Sequence, residues 1–469
     1  MYINPANPEL SRNIWQEFTL SRLIVMPIIL AILFIAMLAI GGVYHLSIIL
    51  FTILANIYGT KLATESIVSE LNERTWDNQR LTLSSPLSMA IGKLFGSTAF
   101  AWYGALITLF VYFIAAISED NFITSLRFGI WSLFFALFIQ VSAMILATMG
   151  LRKNRTKHKI SWFFYFLIAV AISWEVRAIV SAFYFSNMNE SLLHIDTIYW
   201  YFIGFDAIDF AIGGTIIFVL WAIYGLKNLI RLEFNFRNKS TAWIAFLIFL
   251  TVFFLGFNFG IKEMSNELLT ISRNLPIFSF NSVIIPYIFF APVLISLNYY
   301  LIFSEKHSVI KYKKILQLYK EHNFKELSYI TPLWLTTCIF VSIVTILMQI
   351  ISLVYFSFAP DANGLAGLFL PISILLFLFR DFAIVLFFNF SGSIKRPEIG
   401  ALITFFILNF VIPIIVAVTI NPAAVSLFTA FNKDFTFITM ISALLQASAA
   451  IILMNKTYKT QAVEQSILE

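Results

Sequence analysis

The chain has 469 residues, of which 60% are hydrophobic and only 12% charged, and its mean hydropathy is +0.86. A soluble protein carries about 25% charged residues, so lipid is the solvent for most of this surface. The formal net charge of +6 then reads as Lys and Arg retained on the cytoplasmic side of a membrane, and nucleic-acid binding is excluded as a reason for it.

A bilayer-crossing helix needs about 20 mostly apolar residues. In chain order, such runs fall at 23–40, 46–64, 95–117, 127–150, 160–186, 199–226, 242–260, 282–303, 331–357, 365–388, 400–420 and 435–455. The expectation is an all-α polytopic membrane protein of about twelve transmembrane helices. Met1–Ser21 is polar and precedes a full-length span with no A-x-A-like site, so no cleaved signal peptide is expected. With both termini in the cytoplasm, the basic connectors at 151–159, 227–239, 305–326, 393–398 and 455–459 fall inside. Of the 31 Lys and Arg residues, only Arg127, Lys262, Arg273 and Lys433 then lie in outer segments. Arg177 and Arg380 lie within spans, and all the others are inside, as the positive-inside bias requires. Localisation in a cytoplasmic (inner) membrane, multi-pass, follows.

The layout repeats. Each half begins with an amphipathic lead-in ("SRNIWQEFTLSR", 11–22, and "IRLEFNFRNK", 230–239), followed by two spans, a long charged connector and four more spans. Two six-span halves, 1–229 and 230–469, are expected; such parallel repeats are common in transporters.

The first long connector carries the most distinctive pattern, "VSELNERTWDNQRLTLSSPLSMAIGKLFG" (68–96). Ser69–Asn78 holds charges around Leu71 and Trp76 with no Gly or Pro, which predicts a surface helix. Ser84 or Ser85 then offers an N-cap, and Pro86 sits in the first turn of a helix that continues into the third span. Gly92 and Gly96, one turn apart, provide the small-xxx-small spacing that lets helices approach closely. The chain contains no G-x-x-x-x-G-K-[ST], so it has no P-loop of its own.

This connector resembles the cytoplasmic segment after the second span of permeases of type-2 (ABC-2-like) ATP-binding-cassette exporters. Glu73, Arg74, Thr75, Leu81, Pro86, Ser88, Gly92 and Lys93 follow the family order. Arg74 stands where the family usually has Gly before Thr. The opening "NPELSRNIWQEFTLSRLIVMP" (7–27) is similar to the interfacial helix of those permeases, and the resemblance extends over residues 1–120. It implies a coupling helix between spans two and three, in which Glu73, Arg74, Thr75, Trp76, Asp77, Arg80, Leu81 and Pro86 contact a separate ABC ATPase subunit. The activity implied is export across the cytoplasmic membrane, powered by ATP hydrolysed in that partner chain. This chain would then be no enzyme and need no cofactor. Besides the lipid bilayer, a second permease copy or an accessory periplasmic protein would be a further possible partner.

The second long connector (304–332) suggests a basic amphipathic helix with Lys306, Lys311, Lys313, Lys314 and Lys320. It suits either anionic lipid headgroups or a second ATPase contact.

Charges at membrane depth are costly and mark candidate sites. Arg177 and Asp206 fall at similar depth in neighbouring spans and are expected to pair, with Asp209 on the same face as Asp206. A salt bridge that staples the two helices is favoured over substrate contact. Were 192–209 a re-entrant element, the two Asp residues would line an outer vestibule instead. Arg380–Asp381 is expected to snorkel to the inner interface. Asn258, Asn298, Gln349, Asn409 and Gln446 read as interhelical hydrogen-bonding groups, and Cys338 as a small core residue.

A second class of function, a polytopic membrane enzyme acting on lipids or lipid-linked sugars, would need acids, bases or metal ligands gathered at one interface. The five His residues are scattered and lack H-x-x-x-H spacing, so no metal or catalytic residues are assigned. A channel would want a filter-like loop or a charged ring, and neither is present in the pattern.

Overall fold

The computed structural model describes residues 7–39, 41–73, 85–118, 122–154, 197–201, 203–234, 236–256, 285–305, 307–358, 368–392, 394, 396–420, 422–429 and 436–468. The chain is a polytopic membrane protein, helical except for one short hairpin (β1, Thr197–Trp200; β2, Ile203–Asp206) among the described residues. Nine helical runs among those residues are long and apolar enough to cross a membrane, and two shorter apolar helices accompany them. Each coincides with a predicted span; the predicted span at 160–186 lies outside the described residues. The chain divides into two compact units, Met1–Ile198 with Gly204–Asn238, and Tyr199–Ile203 with Lys239–Glu469.

In the first unit, a lead-in helix α1 (Pro8–Glu17) precedes α2 (Leu20–Leu38). α3 (Val43–Phe51) passes through a π segment (Thr52–Tyr58) into α4 (Gly59–Asn72). α5 (Pro86–Ser97), α6 (Ala99–Ser118), α7 (Phe122–Asn154) and α8 (Ala207–Glu233) complete it. Only 11% of the α2 span is buried against 61% of the α7 span, so α7 is the central helix of this unit and α2 is largely uncovered by the chain. Around α7, one cluster joins Phe51, Ala105, Tyr112, Trp131 and Phe135, and a second joins Ala63, Ile67, Met89, Met144 and Ile230. Small residues bring these helices close, and the aromatics fill the remaining space.

The π segment has a visible consequence. An i→i+5 turn leaves a carbonyl without its usual helical donor, and Gln140 of α7 reaches across to donate to Ala55 O (2.9 Å). The same side chain accepts from Trp102 Nε1 (3.1 Å), which ties α6 to the pair. A side chain at position 59 would collide with Gln140, since a Cβ there would lie 2.4 Å from its Nε2. Gln140→Leu should therefore cost about 2–3 kcal/mol, because it strands the buried Ala55 carbonyl and the half-buried Trp102 indole N–H. The check is loss of detergent-solubilised monomer on heating; an unchanged melting midpoint would rule this bridge out as a stabilising feature.

In the second unit, α9 (Thr241–Leu255), α10 (Ile285–Ser304), a surface pair α11 (Val309–Lys320) and α12 (Phe324–Ile330), and α13 (Leu333–Phe358) come first. α14 (Leu370–Phe390) follows, then α15 (Pro397–Phe406), a second π segment (Ile407–Val411), α16 (Ile412–Thr419) and α17 (Thr436–Leu468). Burial of 67% makes α14 the central helix here, and α17 packs along it.

The expected snorkelling of Arg380 and Asp381 is not what the structure shows. Arg380 and Asp381 are 2% and 3% exposed, midway along α14. A guanidinium can snorkel only if its helix end is near, and the mid-helix position removes that option. Instead Arg380 Nε donates to Asp381 Oδ1 (2.8 Å), Nη1 to Gln446 Oε1 (2.8 Å) and Nη2 to Asn409 Oδ1 (2.8 Å). The Tyr299 hydroxyl donates to Asp381 Oδ2 (2.6 Å), and Phe377 lies under the guanidinium at 4.8 Å. α10, α14, the second π segment and α17 thus meet at one ion pair.

Asn409 and Gln446 bond between helices, as expected of them. Gln349 does likewise, accepting from Ile372 N of α14 (3.3 Å) and donating to Leu368 O (2.8 Å) just before that helix, and Asn298, with its amide turned to satisfy both ends, donates to Trp334 O (2.9 Å). Asn258 lies outside the described residues. Cys338 is a free, buried thiol.

Candidate functional site

The candidate site is the junction at which the first long connector leaves α4 and enters α5. Both of its edges are set by local chemistry. Ser85 caps α5 by accepting from Ser88 N (3.1 Å), and Pro86 occupies the first turn, where its missing N–H costs nothing. At the other edge, Glu73 is exposed and closes α4 with its N–H on Ser69 O (2.8 Å). Arg74, Thr75, Trp76, Asp77, Arg80 and Leu81 lie outside the described residues.

α1 lies across this junction. Asn7 caps α1 by accepting from Leu10 N (3.1 Å) and donates to Ser88 O of α5 (3.0 Å). Pro8 and Glu9 then fill the first turn, as helix starts favour. Gly92 and Gly96 face α1: a Cβ at 92 would stand 2.9 Å from Leu10 N, and one at 96 would stand 2.7 Å from Asn13 Cβ. The small-xxx-small spacing does mediate a close approach, and its partner is the lead-in helix.

Beside these glycines Lys93 is 1% exposed. Its ammonium bonds Glu9 Oε1 (3.3 Å) and Glu70 Oε2. Arg12 Nη2 closes the square on the same two acids, at 2.8 Å from Glu9 and 3.1 Å from Glu70. Asn13 Nδ2 adds a bond to Glu9 Oε1 (3.1 Å). Two cations and two carboxylates alternate, so a desolvated lysine is neutralised within its own cluster. A cleft of about 250 Å³ opens next to the square, edged by Gln16, Glu17 and Glu65. Chemically, the arrangement is suited to holding α1, the end of α4 and the start of α5 as one body. Among the described residues no group of His, Cys, Asp and Glu could hold a metal ion.

Glu9, Arg12 and Asn13 were not singled out from the sequence. The available signal was that Glu9 and Asn13 share a face of α1 at i, i+4, the same spacing as Gly92 and Gly96 on α5.

The second set of expected site residues is placed differently. Arg177 lies outside the described residues. Asp206 sits at the N-cap of α8, not within a span, and accepts from Ile208 N (3.1 Å). Arg127 holds both Asp206 (2.9 Å) and Asp209 (3.5 Å). These side chains are 40–48% exposed, and ion pairs that open contribute at most about 1 kcal/mol.

A scan against models of protein families, a search among curated proteins and a search among solved structures each give no match.

Proposed function

We propose that this chain is the permease subunit of a type-2 ATP-binding-cassette exporter, driven by a separate ATPase subunit. The observation that carries the reading is the docking of α1 onto α5 through Gly92 and Gly96, with Lys93 buried between Glu9 and Glu70. Those contacts fix both ends of the connector that resembles a coupling helix. A displacement of the connector then moves α4, α5 and α1 together, which is what a device transmitting ATPase closure into spans requires. Closure can bias a membrane equilibrium only through contacts that differ between the two states, and Glu73 is an exposed acid at the end of α4, where the connector begins.

The topology that accompanies the proposal is about twelve spans in two six-span halves with both termini cytoplasmic, in the inner membrane. The retained excess of Lys and Arg on one side supports it.

The test is purification of the tagged full chain from its native membrane. A chain with ATP turnover should accompany it, and the charge reversal Glu73→Lys with Arg74→Glu should lower its recovery by at least about tenfold, a loss of about 1.4 kcal/mol in binding. Membrane insertion should be unchanged, since neither residue belongs to a predicted span. Full recovery of the partner and its turnover with the reversed pair would remove the coupling role of this connector.

A further inference from the structure

The surface pair α11–α12 is not used by the proposed function, and its attachment to the spans is unusually well fixed. Ser308 caps α11 by accepting from Lys311 N (3.3 Å). His307 Nε2 faces Ile302 O (2.7 Å), which can only accept, so Nε2 carries the proton. His307 Nδ1 is then an acceptor for the Tyr312 hydroxyl (2.8 Å), which itself accepts from Trp334 Nε1 (3.1 Å). Burial pushes the Tyr312 hydroxyl well above its ordinary value, so it remains a donor. Glu305 adds a bond from Leu333 N (2.8 Å) and an ion pair with Lys311 (3.7 Å). The first turn of α11 is therefore tied to the last turn of α10 and the first turn of α13, both apolar helices. Tyr312 and Tyr458 both pack on Phe390, which brings the end of α17 alongside.

Val309 and Tyr312 turn one face of α11 to the body of the unit. Leu316 and Tyr319 continue that face at helical spacing, yet they are 51% and 62% exposed. Phe324, at the start of α12, is 60% exposed. Lys313 and Lys320 flank Leu316 on the same face, at i−3 and i+4. Lys325, Lys456 and Lys459 are exposed at this end too, against the acids Glu321 and Glu326. The face that packs on apolar helices for two turns thus runs on past their edge, with large apolar side chains inside a basic rim. At the level where α10 and α13 begin and end, what continues an apolar protein body sideways is the bilayer.

We propose that α11–α12 lies on the membrane and binds anionic lipid headgroups, with Leu316, Tyr319 and Phe324 at the acyl boundary and Lys313, Lys320 and Lys325 on the phosphates. Long lysine stems let the ammonium reach the headgroups while Leu316 goes deeper. Each lysine at a negatively charged leaflet adds to binding, so the docked state depends on lipid charge.

The experiment uses the full chain with Cys338→Ala and Leu316→Cys, labelled with a polarity-sensitive fluorophore. It is reconstituted in nanodiscs of phosphatidylcholine alone or of phosphatidylcholine with phosphatidylglycerol, each doped with acyl-brominated lipid. The expected result is a blue-shifted, bromine-quenched label in anionic discs, with quenching at least about fivefold weaker in neutral discs and after Lys313→Glu with Lys320→Glu. A label at Lys314, exposed on the opposite side of the helix from Leu316, should stay water-quenchable in both. Elution as a folded monomer controls for the reversal variant. Equal bromine quenching in both lipids would overturn the headgroup role. A Leu316 label open to aqueous quencher in both discs would overturn the membrane seat altogether and leave this face to a soluble protein.

Discussion

Replacing Arg380 by alanine is expected to leave little folded protein. The substitution removes the partner of Asp381 in a site 2% exposed, and it also strips Gln446 Oε1 and Asn409 Oδ1 of their donor. Breaking a buried pair from one side costs about 3–5 kcal/mol, against a total stability of about 5–15 kcal/mol for a typical domain. Arg380→Lys should fare little better. A single ammonium on a flexible stem cannot serve Asp381, Asn409 and Gln446 from fixed directions as the planar fork does. The informative comparison is Arg380→Leu with Asp381→Leu. Replacing both charges by apolar groups is often close to neutral, so the double variant should survive heating in detergent better than Arg380→Leu alone. Were the double variant as unstable as the two singles added together, Arg380 and Asp381 would not be energetic partners.

Hydropathy could find the helix that carries Arg380 but not the depth of Arg380 within it. The span predicted at 365–388 and the helix at Leu370–Phe390 differ by only a few residues. That shift places Arg380 at the middle, where snorkelling fails, instead of toward an end. Its partners stand 29 and 66 residues away, and no periodicity connects them to it. The amides themselves were readable, because a polar group inside an apolar helix must find a partner somewhere.

Asp206 lies at the start of its helix instead of within it, for a different reason. "TIYWYFIGFD" is apolar enough to count as the start of a span, yet its aromatic and β-branched residues form a short hairpin, turned at Tyr201 with φ 55°. The tip is held by Trp200 Nε1 donating to Phe253 O (2.9 Å) and Tyr201 N to Gly256 O (2.7 Å). Helix α8 then begins at Ala207, and Asp206 becomes its cap. An apolar window measures composition and is blind to this change of backbone geometry.

The junction at Lys93 was half legible. The Ser85 cap, Pro86 and the paired glycines follow from residue type and spacing alone. The acid–base square does not, because Glu9 and Arg12 of α1, Glu70 of α4 and Lys93 of α5 meet only once α1 has folded back. That dependence makes the last prediction sharp. Lys93→Ala should release α1, since it removes the buried cation from between Glu9 and Glu70, whose side chains are 8% and 16% exposed, at a cost of about 3–5 kcal/mol. Gly92→Ala attacks the same contact without touching a charge. Its Cβ would meet the backbone at Leu10 N at 2.9 Å, so α1 must move or the helices must part, at about 1–3 kcal/mol. Both variants should make the segment before Leu20 sensitive to protease in the reconstituted protein while the spans stay intact. Glu70→Gln should be milder, because Glu70 is 16% exposed at its side chain and water can replace part of what it loses. If the proposed ATPase coupling holds, transport-linked turnover should fall in the order of protease sensitivity across the series. Protease resistance in Lys93→Ala would show that α1 is held by its apolar face alone, and the charged square would then have no structural role; sensitivity without any loss of turnover would keep the square and discard the coupling.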